Sequence, residues 1–359
     1  MNQNFLLKSG AGVAEKVIFK QVLNPSFDEI DKIVKYIIEE SDIDIDKIGN
    51  YCLLKINAMS REVLPGRNTS PWVLEAVLKN LTDKFSRTKF IVGDSDVAGY
   101  PQFYKACKNW GYTEIIKKYG SKIINLSEDE FIKKSTNNPI FPIMEIPKTI
   151  LSVDSIVNMP VIKTHVLSGI TCSLKNHWGL LSRSRYKYHI QVSEIIAEIN
   201  YQIRKTVLNI VDGTVCIEGS GPKTGNPKIC SVIFGGIDRV AVDSAVLAFM
   251  GFTPDLAPHI SLSERKGVGS SKYEIAGDRF AEKNFEPPNL EKDIVSYIEK
   301  NLRRIPIIGK LLYSQSIAQI LGLIGTKYNE LVWFNLYGKK YRKVIYNTPY
   351  EREFKPLFK

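Results

Sequence analysis

Short apolar runs alternate with helix-periodic stretches along most of this chain, and that alternation is the strongest constraint on its fold. YCLLKI (Tyr51–Ile56), KFIVGD (Lys89–Asp94), KIINL, IVNMPVI, LNIVDG and ICSVIFGG are nearly unbroken apolar runs of the length that suits buried strands. Between them, Phe27, Ile30, Ile33, Val34, Ile37 and Ile38 recur at helical spacing, behind a capping box of Ser26 and Glu29. Ser70-Pro71 opens a second helix, with serine as N-cap and proline at the first helical position. A third, around Gln102–Trp110, stops at Gly111, and RVAVDSAVLAFMG forms an amphipathic fourth with Gly251 behind it. The pattern predicts an α/β fold, a mainly parallel sheet covered by helices. KKSTNN (Lys133–Asn138) reads as a polar break and TILSV after it as a strand. Residues 1–288 are expected to form this α/β domain, with a split into two lobes near 133–150 as the alternative. Residues 289–359, which include a helix at Leu290–Leu302, read as a C-terminal helical and irregular extension.

A net charge of +11, from 49 Lys and Arg against 38 Asp and Glu, favours anionic partners. The basic residues are spread along the chain, which suits solubility equally well and does not mark a specific nucleic-acid site. Five cysteines (Cys52, Cys107, Cys172, Cys216, Cys230) stand singly with no CxxC pair. No iron–sulfur cluster is therefore expected, and a reducing, cytoplasmic compartment is. MNQNFLLKSGAGVAEKVIF lacks the basic start and apolar run of a signal peptide. No uninterrupted apolar stretch is long enough to span a bilayer. The nearest, Ile305–Gly325, is broken by Lys310, Ser314, Gln315, Ser316 and Gln319. It is expected to pack internally or to make a homo-oligomer contact, with an interfacial membrane helix as the alternative.

In open parallel sheets, ligands bind beyond the carboxyl ends of the strands. The polar residues there are Lys55 and Asn57, then Ser70; Gly93 and Asp94; Lys163, Thr164 and His165; Asp212 with Glu218, Gly219 and Gly221; and Gly235, Gly236 and Asp238. Asp94 reads either as a cap or as an acid, base or metal ligand, Asp238 as a helix N-cap or a ligand contact, and Asp243 as facing site or solvent. No GxGxxG and no GxxxxGK[ST] loop accompanies them. NMPVIKTHVLSGITCSLKNHWGLLSRSRYKYH (Asn158–His189) holds three of the four histidines, His165, His177 and His189, and two Lys-x-His pairs. If 161–165 stays extended, Lys163 and His165 share a face. A helix over Thr171–Trp178 would put Thr171 and Lys175 on one side, aimed at the strand ends. Buried lysines serve as bases or nucleophiles, histidines move protons or bind metal, and the cations together clamp a carboxylate or phosphate. Solvated lysines and satisfied core histidines are the bland alternative.

VNMPVIKTHVLSGITCSLKNHWGLL resembles the signature of the family called domain of unknown function 362. The matching residues are Pro160, Lys163, Thr164, His165, Thr171, Lys175, Asn176, Gly179 and His189. Supporting matches are Lys55 and Asn57, Ser70-Pro71, Gly93-Asp94, Asp212-Gly213, Glu218 to Gly225, Asp238, Asp243 and Gly251, so the resemblance covers Tyr51 to Gly277. Many relatives carry a cysteine-rich ferredoxin-like segment, which this chain lacks. The resemblance implies a fold and a site and leaves the reaction open. The His165/Lys175 pairing also resembles, at a distance, the N-terminal half of the nickel-pincer lactate racemases, where a lysine holds the cofactor and histidines ligate nickel or move protons.

The sequence thus predicts an enzyme acting on a small carboxylate or phosphorylated metabolite by proton transfer or redox chemistry, of isomerase or oxidoreductase type. Its expected catalytic residues are Lys163, His165, Lys175, His177 and Asp94. Lys55, Asn57, Ser70, Thr171, Asn176, Glu218, Gly219, Gly221 and Asp238 are its expected ligand contacts, and His165, His177 and His189 its candidate metal ligands. The cofactor is left open. A non-catalytic anion-binding or cofactor-binding protein is the alternative, and a membrane-peripheral or oligomeric scaffold the next.

Overall fold

The computed structural model describes residues 14–97, 101–289, 301–302, 317, 320, 323–325 and 327–358. The helix expected at Leu290–Leu302 and the Ile305–Gly325 segment lie for the most part outside the described residues.

Chain order follows the sequence pattern closely at first. Strand β1 (Glu15–Gln21) leads to helix α1 (Phe27–Glu40), then to a short α2 (Ile45–Ile48) and to β2 (Tyr51–Lys55). Ser26 caps α1 by accepting from the Glu29 amide. The Glu29 carboxylate turns back to the amides of Leu23 and Asn24, so the predicted capping box closes two residues further out than expected. Next come α3 (Pro71–Lys84), β3 (Lys89–Asp94), α4 (Phe103–Asn109), α5 (Tyr112–Lys118) and β4 (Lys122–Asn125). The polar break is in fact strand β5 (Phe131–Ser135), paired antiparallel with β6 (Ile143–Pro147) in a separate two-stranded sheet. Its side chains past Phe131 are exposed, so no apolar alternation marked it. TILSV is helix α6 (Lys148–Ser152), not a strand. The remaining elements are β7 (Ser155–Asn158), β8 (Val161–His165), β9 (Gly169–Thr171), α7 (Ser173–Asn176), α8 (Val192–Gln202), β10 (Thr206–Glu218), β11 (Asn226–Gly236), α9 (Arg239–Phe249), α10 (Pro258–Arg265) and β12 (Tyr273–Gly277).

The main sheet has ten strands, ordered β12-β1-β11-β10-β7-β2-β3-β4, with β8 and β9 continuing beside β10. From β4 to β10 all pairings are parallel, as expected, while β11 runs antiparallel to both β10 and β1. Alternate strand residues feed two cores. Leu53, Ile91 and Ile156 face α8, α9 and α10, and Cys52, Leu54, Val92 and Val157 face α1, α3, α4 and α5. The sheet is therefore covered on both sides, which is why its strands read as unbroken apolar runs. Among the described residues no helix is long and apolar enough to cross a membrane.

The C-terminal residues return to the α1/α3 face. Ile345, Tyr350 and Phe354 enter that core, and the Glu353 carboxylate accepts from the Ser70 hydroxyl and the Trp72 amide at the start of α3. Burial, reinforced by Asp212, raises Glu353 from an ordinary 4.5 to about 8. A carboxyl whose folded pKa is raised adds stability fully below its unfolded pKa and loses it as the pH climbs toward the folded value. Glu353→Gln carries the neutral form throughout. It is expected to melt above wild type at about pH 8 and to converge with it as the pH falls to 4.5, read by thermal denaturation at each pH.

Candidate functional site

Where β2, β3 and β8 end, their side chains close around a cavity of about 110 Å³ lined by Lys55, Asn57, Asp94, His165, Thr171, Lys175, Asn176, Trp178 and Arg185, with Pro222 at its edge. The floor is an ion pair. Lys55 Nζ lies 2.6 Å from Asp94 Oδ1 and also donates to the Ile56 carbonyl, while the Asp94 carboxylate accepts from the Ala58 and Ser95 amides. Both partners are buried, so each group's desolvation is offset by the other and by these bonds. Asp94 is thereby held in an ion pair at the cavity floor.

Lys163 stands behind this floor rather than in the cavity. Its Nζ donates to Asn57 Oδ1, to the Arg67 carbonyl and to Met59 Sδ, which takes up all three of an ammonium's donors. Burial, then the nearby Arg67 charge, lowers it to about 7.

Lys175 is different. Thr171 ends β9, opposite Lys163, and the helix that follows is the single turn α7, continued by a 3₁₀ turn at His177–Leu180. The expected helix over Thr171–Trp178 is thus split, yet Thr171 and Lys175 both reach the cavity. Asp243, on α9, accepts from the Ser173 and Leu174 amides and so fixes the start of α7. Lys175 lies 93% buried with its Nζ 5.4 Å from the centre of the Trp178 ring. It has no hydrogen-bond acceptor or ion pair among the described residues. Burial, then Arg185, lowers it to about 7.

His165 Nδ1 accepts from the amides of Leu167 and Ser168, which places its proton on Nε2. Burial, then Lys175, holds it well below its ordinary pKa, so the ring is a neutral N–H donor. The His189 ring lies 6.0 Å from it, and a fully buried His259 on α10 sits behind, lowered to about 3 by burial and then by Lys175.

Several predicted site residues go elsewhere. His177 turns to the far end of β10, where Thr206 and Arg239 hold its two ring nitrogens. His165, His177 and His189 therefore do not converge. Ser70 caps α3 and bonds Glu353. Asp238 caps α9, because the antiparallel run of β11 carries its end away from the other strand ends. Glu218 pairs with Lys228 and accepts from the Glu286 amide. Gly219 and Gly221 do not line the cavity. Gly221 packs so tightly on Thr164 that a Cβ would lie 2.3 Å from its carbonyl oxygen, and this close approach sets Pro222 at the cavity edge. Arg185, Trp178 and His259 were not singled out from the sequence. Arg185 reaches the cavity because the Arg183–Gln191 3₁₀ segment lets it donate to the Leu181, Ser182 and Asp96 carbonyls and to Ser95.

The family profile described as "Domain of unknown function (DUF362)" matches residues 52–248, more than half of the chain. The chain belongs to the DUF362 family. The matched span holds β3, β4, β7, β8 and β10, β2 from Cys52 onward, and every cavity residue named above. The thylakoid-associated protein sll1697 of Synechocystis sp. is 24% identical over 238 residues, 64% of this chain and 72% of that protein. Among solved structures, the lactate racemase apoprotein of Thermoanaerobacterium thermosaccharolyticum has a TM-score of 0.41 at 13% identity over 62% of this chain, which spans 54% of the racemase. A Thermotoga maritima protein also scores 0.41, at 11% identity over 84% of each chain. Among the described residues of this DUF362 member no three His, Cys, Asp or Glu side chains are grouped to hold a metal ion.

Gly179 explains how close the cavity wall is to its floor. A Cβ there would lie 2.6 Å from Asp94 Oδ1 and 3.0 Å from Lys55 Nζ. Gly179→Ala is expected to lower stability by roughly 1–3 kcal/mol through overpacking of that pair, measured by denaturant unfolding. Wild-type stability in the variant would show that the pair and the 3₁₀ turn separate freely.

Proposed function

We propose that the cavity binds a small anionic metabolite, a carboxylate or a phosphorylated compound, and that His165 and Lys175 act on it by proton transfer next to a carbonyl. The observation that carries this reading is the Lys175 ammonium, buried, aimed into the cavity and without an acceptor among the described residues. A buried cation without a counter-charge is unfavourable, and an anion in the cavity supplies the charge it lacks. His165 Nε2–H and the Asn57 and Thr171 side chains offer further polar contacts around the same space. A lysine near pH neutrality is a suitable proton acceptor, and a neutral histidine beside it a suitable donor. The five free, buried cysteines support the cytoplasm as its setting.

A non-catalytic anion-binding protein is the second reading. It is favoured by one observation: Asp94, the carboxylate at the cavity, is already spent on Lys55. The name of the cyanobacterial relative, a thylakoid-associated protein, suits a scaffold near a membrane surface and supports the third.

Lys175→Met is expected to weaken binding of inorganic phosphate or pyruvate by tenfold to a hundredfold, since a charge-assisted contact is worth about 1.5–3 kcal/mol. It is expected to melt at or above wild type, because it removes a desolvated cation. Wild-type affinity is expected to fall as the pH rises through about 7, where Lys175 loses its proton. Calorimetric titration below and above neutrality, with a melting curve for each protein, checks all three. A much lower melting point in the variant would make Lys175 structural, and unchanged affinity would make it a bystander.

A further inference from the structure

The described C-terminal segment has two faces. Tyr328–Gly338 is a π-helix, whose repeat is between four and five residues, so positions five apart share a side. Trp333 and Phe334 turn inward onto Leu64 and the Arg67 guanidinium, which lies 4.9 Å from the Trp333 ring. Gly338 follows on the same side, so close that a Cβ would lie 2.6 Å from the Phe334 ring. Leu331 and Leu336, and Val332 and Tyr337, are five-residue pairs on the other side, with relative exposures of 63%, 57%, 39% and 49%. The inward contacts pin the helix to the body, so its outer side, apolar but for the exposed Asn335, is displayed by a fixed element. Lys339, Lys340 and Lys343 follow at once and are exposed.

From this geometry we infer that the outer side of Tyr328–Gly338 docks on an anionic lipid surface. Leucines, valine and tyrosine at the interface, with a lysine group beside them, are the chemistry that seats a helix in the headgroup layer of acidic membranes. Charge disfavours a second copy packed with its helix parallel, since two such faces would set Lys339, Lys340 and Lys343 of both copies side by side, a like-charge contact that opposes association. Lipid phosphates instead complement those lysines. The helix lies on the surface and does not cross it.

The test is co-sedimentation of the full-length protein with vesicles of phosphatidylcholine alone or mixed equally with phosphatidylglycerol, at low and high salt. Binding is expected to the mixed vesicles only, and to weaken with salt. Lys339→Gln with Lys340→Gln is expected to lose about fivefold in partitioning per lysine. Leu331→Asp with Leu336→Asp is expected to abolish binding, while melting stays at the wild-type temperature because both leucines are exposed. Equal binding to both vesicle types, or none to either, would overturn the inference. So would a wild-type dimer in analytical ultracentrifugation that the two aspartates convert to a monomer, since the face would then belong to a second copy.

Discussion

Four asparagine side chains, threaded head to tail, fix the strand ends on which the cavity is built. Lys163 Nζ donates to Asn57 Oδ1, Asn57 Nδ2 to Asn176 Oδ1, Asn176 Nδ2 to Asn158 Oδ1, Asn158 Nδ2 to Asn209 Oδ1, and Asn209 Nδ2 to the Gly236 carbonyl. The amides come from the loop after β2, from α7, from the end of β7 and from the first half of β10, so the chain laces elements far apart in sequence across the sheet. All donors run in one direction. A flip of any one amide would set two donors face to face and two acceptors face to face, so each orientation depends on its neighbours. Lys163 supplies the charge at the donor end, which makes its role that of an anchor. Because Asn176 is in the chain, α7 is held in register with β2, and Lys175 next to it is held at the cavity.

The same site shows how a protein can bury several cations in a small volume. Lys55 has Asp94, Lys163 has three acceptors, and Arg185 has three carbonyls and a hydroxyl. Each is a charge whose lost hydration is replaced by fixed dipoles or a counter-ion. Lys175 differs: among the described residues it has neither an acceptor nor a counter-ion, and its Nζ lies over the Trp178 ring. The neighbouring His165 is set by local bonds as well. The backbone amides at His165 Nδ1 force the proton to Nε2, so the histidine meets the cavity as a donor.

Much of the fold was readable from sequence because its signals are local. Caps at Ser26 and Ser70 and the unbroken runs of β2, β3, β7 and β10 depend only on neighbouring residues. TILSV failed because β-branched and apolar residues over five positions suit either a strand or one buried helical turn, and only the position after Pro147 decided it. KKSTNN failed because an edge strand exposed on both faces carries no period at all. Of the cavity residues, Lys55, Asn57, Asp94 and His165 were nameable because strand ends in a parallel sheet share an edge, Thr171 and Lys175 because of their four-residue spacing, and Asn176 through the family resemblance. Ser70, His177, Glu218 and Asp238 were lost to partners that are remote in sequence or set by strand direction: Glu353, Arg239, Glu286, and the cap of α9. Arg185 and His259 carried no local signal, since one sits in a run of other basic residues and the other is a lone histidine at a helix start.

One residue ties the C-terminal segment to this site. Arg67 stacks its guanidinium under Trp333, donates to the Lys223 carbonyl in the loop that carries Pro222, and gives its own carbonyl to Lys163. Its side chain and its backbone therefore touch the docked helix, the cavity edge and the head of the asparagine chain at once. Glu353 makes a parallel link, from the last helical turn to the cap of α3. A displacement of Trp333 would remove the apolar cover from a buried guanidinium, whose charge burial already disfavours. The exposed Arg67 would then compete with water for the Lys223 carbonyl that orients the cavity edge. The loop after β2 is thus held from two sides: by the sheet through Asn57, and by the C-terminal segment through Arg67.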